Sequence, residues 1–249
     1  MKIKEILNLY FFQKSEVDRI ILGNEDMECT GIVVTFVATM KILEKAKKEN
    51  CNLIISHEGI FYRHHPQFDS YNSKTVTNKC NWINSNNITI YRHHDAIHRQ
   101  LPDLITKSFV ERLNMQDKLI EQNAIYTICQ VNTNSKELLA DVSKCLFKNK
   151  ISVYGEYCLE EIKRIAILVG YRGSSENLIP LYEEKNVDLV IFGEGPQWEI
   201  PYFIDDFNYF NKRKIQAFAV GHETSELDGM KTFSRLLSKK INNIKVIYL

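Results

Sequence analysis

Short apolar runs recur along the chain, separated by stretches in which apolar residues return every three or four positions. Ile32–Thr35 is β-branched and reads as a strand. Residues 36–48 follow, with Phe36, Met40, Leu43 and Ala46 spaced for one helical face, and Asn50 closes that helix. Leu53-Ile54-Ile55 is wholly apolar, as expected where helices cover both faces of a sheet. Residues 88–91, 165–169, 189–192 and 217–220 repeat the style, and 176–185 reads as a helix. Apolar strands alternating with helical segments predict an α/β fold with a largely parallel sheet.

A faint internal repeat suggests two related α/β lobes. Residues 50–59 lie over 186–195 with five of the ten positions identical (Asn, Leu, Ile, Glu and Gly), each copy preceded by a strand and a helix. The match continues downstream: strand 88–91 runs into His94 with His98 four residues on, and strand 217–220 runs into His222 with Glu226 four residues on. Lobes of residues 1–125 and 126–249 follow, packed together because no low-complexity linker separates them. Open parallel sheets bind ligands beyond the carboxyl ends of their strands, where these polar residues fall.

All seven histidines lie in short clusters: His57; His64 and His65; His93, His94 and His98; and His222. Acidic residues stand beside them at Glu58, Asp95, Glu223 and Glu226. Neutral imidazole and carboxylate suit Zn, Fe, Mn, Co or Ni ions. On a helix the i, i+4 spacing of His94/His98 and of His222/Glu226 lets both members approach one ion. A lone histidine after a strand is usually a hydrogen-bonded or surface residue; three clusters in the same position, each with a carboxylate nearby, favour a metal site. His64 and His65 have no strand directly before them and read as loop surface. The stretch Gly170-Tyr171-Arg172-Gly173-Ser174-Ser175 matches no phosphate-loop fingerprint. Ser174 or Ser175 there reads as a helix N-cap.

Composition narrows the classes of function. The 249 residues carry 32 Lys+Arg against 31 Asp+Glu, a formal charge of +1, which removes the electrostatic case for nucleic acid or an anionic membrane surface. No apolar run approaches the ~20 residues that cross a bilayer, and the early alternation of charge with apolar residues argues against a secretory signal. The expected compartment is the cytoplasm, where six scattered cysteines would be buried reduced thiols.

The phrases Thr30-Gly31-Ile32-Val33-Val34, Leu53-Ile54-Ile55-Ser56-His57-Glu58, Tyr91-Arg92-His93-His94-Asp95 and Val220-Gly221-His222-Glu223-Thr224-Ser225-Glu226 resemble the Nif-three-like family, the GTP cyclohydrolase I type 2 homologues. The order and spacing match from about Gly23 to the end, and the last phrase is the most specific. The resemblance implies two α/β lobes facing a central cleft with a dinuclear metal site, two divalent ions per chain, and a homo-oligomer, often a toroidal hexamer. The cyclohydrolase label is carried in that family by transfer. The family's His-His pair falls on His57 and Glu58, its later histidine and aspartate on His94 and His98, and its final His-x-x-x-Glu on His222 and Glu226. Glu58 stands where histidine is usual and His98 where aspartate is usual. Three imidazoles and two carboxylates therefore remain among His57, Glu58, His98, His222 and Glu226, with Glu226 the preferred bridge and Asp95 a substitute ligand. Glu194, the counterpart of Glu58 in the second copy, is expected to line the cleft rather than to ligate.

The expected activity is that of a metal-dependent hydrolase of a small-molecule substrate. A phosphorylated or nucleotide-like substrate is suggested by Arg92 and Arg99 beside the histidine cluster, with Glu223 or an unligated histidine such as His93 as general acid or base. The alternative is a metal-binding regulatory or scaffold protein without turnover.

Overall fold

The computed structural model describes the chain apart from residues 10–11, 13–14, 63–72, 101, 147–149 and 157. His64 and His65 lie outside the described residues. The element order is α1 (Ile3–Leu7), β1 (Ile20–Leu22), β2 (Ile32–Thr35), α2 (Met40–Lys48), β3 (Leu53–Ser56), α3 (Lys74–Ser85), β4 (Thr89–Arg92) and α4 (Asp95–His98). Then come α5 (Leu104–Arg112), β5 (Leu119–Gln122), β6 (Thr127–Thr133), α6 (Ser135–Cys145), β7 (Ser152–Tyr154), β8 (Ile162–Leu168) and α7 (Ser175–Glu183). The chain ends with β9 (Leu189–Phe192), α8 (Ile200–Phe210), β10 (Gln216–Ala219), α9 (His222–Lys240) and β11 (Val246–Tyr248). Two compact units result: Met1–Gln100 with Met230–Leu249, and Leu101–Gly229.

The first unit holds a five-stranded sheet in the order β1-β4-β3-β2-β11. Its β2, β3, β4 and β11 run parallel, and β1 pairs antiparallel with β4. Every residue of β2, β3 and β4 is buried, which explains their unbroken apolar runs. Val33, Ile54 and Ile90 pack one sheet face against Leu43 and Ala46 of α2 and Val76 and Ile83 of α3. The helix predicted over 36–48 starts at Met40 instead. The Phe36 carbonyl accepts the Glu58 N–H at 2.8 Å, which keeps that segment extended, and the Thr39 hydroxyl then caps the helix by accepting Ile42 N–H. Asn50 ends it in the left-handed region, at φ 57°.

The second unit holds a six-stranded mixed sheet, β5-β6-β8-β9-β10-β7. Strands β8, β9 and β10 are parallel, while β5, β6 and β7 join antiparallel. Its core gathers Ala166, Leu168, Val190 and Ala217 from the strands with Leu178, Tyr182, Ile200 and Ile204 from α7 and α8. Ser174 occupies the N-cap position of α7 without a side-chain cap bond; the Glu199 carboxylate accepts the Ser175 N–H at 2.7 Å in its place. The N-cap bond expected from Ser174 or Ser175 is thus replaced by a carboxylate from a distant residue.

The internal repeat is legible in the topology. The run β1-β4-β3-β2 in one sheet has the same connectivity and strand directions as β7-β10-β9-β8 in the other, though β1 precedes its parallel trio in sequence, as β7 does. Backbone bonds just past the strand ends correspond as well. His57 N–H reaches Thr35 O at 3.1 Å and Gly193 N–H reaches Leu168 O at 3.2 Å. Glu58 N–H reaches Phe36 O and Glu194 N–H reaches Gly170 O, both at 2.8 Å.

Among the described residues no helix is long and apolar enough to cross a membrane. Cys51 and Cys129 are buried and Cys29, Cys80 and Cys145 half-buried, but Cys158 is exposed, against the expectation that all six would be interior.

Candidate metal centre

In the first unit, the parallel strands β3 and β4 end side by side and deliver their next residues to one place. One ligand atom from each of His57, His94 and His98 lies within 4.8 Å of the other two. The His57 ring stacks on that of His94 with centroids 4.6 Å apart, and His98 stands edge-on to His57 at 5.2 Å. His57 is fully buried and donates Nδ1–H to the carbonyl of His93 at 3.0 Å, which places the ring's lone pair on Nε2. His94 donates Nδ1–H to Asp95 Oδ1 at 3.0 Å, again directing a lone pair to Nε2. Burial pushes the His94 imidazole down to about 4, so it is neutral at pH 7 and suited to ligation.

Three supports hold this set. Asp18, fully buried, accepts the backbone N–H groups of His94, Asp95 and Ala96 at 2.6, 2.9 and 2.6 Å, fixing the start of α4 and hence both of its histidines. Burial raises the Asp18 carboxyl above its ordinary range, against the pull of those three donors on the anion. Arg92, at the end of β4 and buried, donates to Glu58 Oε2 at 2.9 Å; Glu58 Oε1 lies 3.7 Å from His94 Nε2. Asp95 is bound to the His94 ring and to Arg99 at 3.0 Å each, which makes it an orienting group in place of the substitute ligand expected.

Two sequence expectations change here. Arg92 serves the ligand set and not the solvent, so of the two arginines only Arg99, 60% exposed, stands where an anionic substrate could meet it. His93 is no general base. It is fully buried in an aromatic cage of Phe12, Tyr91 and Phe233, and burial lowers its imidazole to about 3. Glu223 is exposed at the start of α9.

In the second unit, α9 begins directly after β10 and presents His222 and Glu226 one turn apart. His222 Nε2 lies 3.2 Å from Glu226 Oε2, while its Nδ1 lies 3.1 Å from Glu194 Oε2. A neutral imidazole carries one N–H and cannot donate to both carboxylates. A second ring proton or a metal ion would let the ring pair with both carboxylates. Glu226 is buried to 2% exposure, where an anion needs a positive partner. Glu194 thus orients His222, a role closer to the site than lining a cleft.

Glycines make room for this pair. Gly170 adopts φ +59°, and a Cβ there would lie 2.2 Å from Glu226 Oε1. Its N–H donates to Ser225 Oγ at 2.9 Å, and that hydroxyl donates to the His222 carbonyl at 2.7 Å. Gly193 occupies the repeat position of His57 because any side chain would meet the Gly170 carbonyl at 2.5 Å and Ser225 Oγ at 2.6 Å. Both donor sets therefore fit a divalent ion by their chemistry: converging imidazole nitrogens in one unit, and an imidazole facing a buried carboxylate in the other.

Comparison with known proteins agrees with the architecture. The profile of the Duf34/NIF3 (NGG1p interacting factor 3) family matches residues 2–249. A GTP cyclohydrolase 1 type 2 homolog of Clostridium acetobutylicum is 22% identical over 262 aligned residues, which cover 99% of this chain and 93% of that protein. Among solved structures, the structural-genomics protein ybgI, of unknown function, superposes with a TM-score of 0.78 at 18% identity, covering 100% of this chain and 98% of the other. A hypothetical protein of Staphylococcus aureus follows with a TM-score of 0.76 at 15% identity, covering 100% and 96%. At these identities the structural likeness speaks for the fold alone.

Proposed function

The chain belongs to the Duf34/NIF3 family, and from that premise we propose that it is a metal-dependent hydrolase using two divalent ions held by His57, Glu58, His94, His98, His222 and Glu226. The observation that carries this reading is the His222 ring set between two carboxylates, with Nε2 3.2 Å from Oε2 of the buried Glu226 and Nδ1 3.1 Å from Glu194 Oε2. The three converging imidazoles of the first unit support it independently.

Two bound ions would polarise a substrate oxygen and lower the pKa of a coordinated water, creating a nucleophile near neutral pH. The chain's own groups supply orientation. The His93 carbonyl and Asp95 take the Nδ1–H of His57 and His94, and Glu194 faces Nδ1 of His222, an arrangement that would leave each Nε2 available to an ion. Arg92 holds Glu58 in place, and Glu226 would supply an anionic oxygen to a bound ion. Arg99 at the rim gives an anionic substrate, phosphorylated or nucleotide-like, a positive group to approach. The protein acts as a homo-oligomer, a hexamer as its family implies, in the cytoplasm, with neither nucleic acid nor membrane as partner.

The test is a panel of phosphomonoesters, phosphodiesters and nucleotides assayed with the protein loaded with Mn, Zn or Fe. Hydrolysis should fall by about a hundredfold or more in Glu226→Gln. Activity surviving that substitution would remove the mechanism. Metal-loaded protein that turns over nothing, and whose assembly dissociates on chelation, would identify a metal-dependent scaffold instead.

A further inference from the structure

Two helix faces stand exposed, and they are opposite in charge. The inner side of α8 packs Ile200 and Ile204 into the core of the second unit. Its outer side carries Tyr202, Asp205, Asp206 and Tyr209, spaced i, i+3, i+4 and i+7 and so on one face, with Phe210 at the edge. Tyr202, Tyr209 and Phe210 are 66%, 82% and 80% exposed, and the last two rings meet edge-on at 5.1 Å. Single exposed apolar residues are ordinary on a protein surface; three large aromatic side chains on one helix, bordered by two carboxylates, mark an interaction surface. Residues 200–210 contain no lysine or arginine, and among the described residues neither aspartate forms a salt bridge.

The complement lies in the same chain. The last part of α9, residues 230–240, buries Met230, Phe233 and Leu237. It leaves Lys231, Arg235 and Lys239 exposed at spacings of four, with Lys240 and the exposed Leu236 beside them. This stretch has no acidic residue, and among the described residues none of these cations forms a salt bridge. An α8 face set on a copy of itself would bring Asp205 and Asp206 against their own equivalents, and like charges across a contact are costly. Set on the α9 face of a second copy, the same carboxylates meet lysine and arginine, and the tyrosine rings offer their faces to the Arg235 guanidinium.

We infer that α8 of one copy docks on the 230–240 part of α9 of the next, a head-to-tail contact in which an acidic aromatic face meets a basic one. The inference rests on the homo-oligomer of the proposed function and adds which surfaces join. Because the two faces differ, a docked pair still has one free face of each kind. The contact therefore repeats from copy to copy and forms a ring when the rotation closes.

Sedimentation velocity of the full chain over a range of concentrations tests this, with circular dichroism to confirm folding. The acidic-face variant Asp205→Lys, Asp206→Lys and the basic-face variant Arg235→Glu, Lys239→Glu should each weaken association by at least about tenfold. Mixed together, the two should reassemble, since every α8 face then finds an α9 face of opposite charge. Tyr209→Ser should weaken association with no change of charge. Dissociation of the acidic-face variant alone, or a mixture that stays dissociated, would overturn the head-to-tail pairing. Assembly unchanged in both variants would overturn the interface and leave the homo-oligomer standing. A parent that is monomeric at every concentration would overturn the homo-oligomer reading itself. Should a charge variant fail to fold, Tyr209→Ser decides, and association equal to the parent's contradicts the inference.

Discussion

Arg172→Met should destabilise the protein by about 2–4 kcal/mol, the cost of leaving a buried carboxylate without its cation. Asp103 is fully buried and accepts Arg172 Nη2 at 3.0 Å, while its other oxygen caps α5 by accepting the N–H groups of Ile105 and Thr106. The guanidinium also reaches Thr106 Oγ1 at 3.2 Å and the Ile125 carbonyl at 3.4 Å. Because the Arg172 side chain is 18% exposed, water would reach part of the vacated space, so the lower half of the range applies if it does so freely. Urea denaturation measures the loss directly. The double variant Asp103→Asn, Arg172→Met should recover part of it, since a neutral amide keeps the capping oxygen and removes the stranded charge. A single variant within about 0.5 kcal/mol of the parent would mean that Arg172 does not carry the pair.

Gly170→Ala separates the site from the scaffold. The glycine sits at φ +59°, where a side chain costs about 1 kcal/mol. The atom in the way of the new methyl is the far end of a flexible side chain, Glu226 Oε1 at 2.2 Å, and His222 Nε2 follows at 3.3 Å. The carboxylate should swing away at little cost to folding and lose its place opposite His222. Ion binding by the His222/Glu226 set is expected to weaken by about 10–100-fold with a fall in stability near 1 kcal/mol. Calorimetric titration beside thermal unfolding reads both quantities. Unchanged ion affinity would show that the position of the Glu226 carboxylate does not matter to binding.

The parallel strands could be read from sequence because burial on both faces leaves them apolar without interruption, as in Leu189–Phe192. The edge strands could not. Ile20–Leu22, Ser152–Tyr154 and Val246–Tyr248 are three residues long and at most half-buried, too short for a periodicity to show. The start of α2 was misplaced because a bond between Phe36 and Glu58, distant in sequence, keeps Phe36 extended while local spacing suggests a helix. The candidate ligands were legible because each follows a strand end. Their supports were not: Asp18 acts on His94 across 76 residues and Glu194 on His222 across 28, and no local pattern announces either contact. The misassignment of His93 had a readable signal. Extended residues alternate faces, so His93 and His94 could not both turn toward one site, and His93 went to the aromatic core.

Elemental analysis of the purified full chain, with circular dichroism to confirm folding, tests the central claim most directly. The parent should hold about two divalent ions per chain, and the His57→Ala, Glu226→Ala double variant close to none. A folded double variant retaining the parent's full metal content would contradict the account.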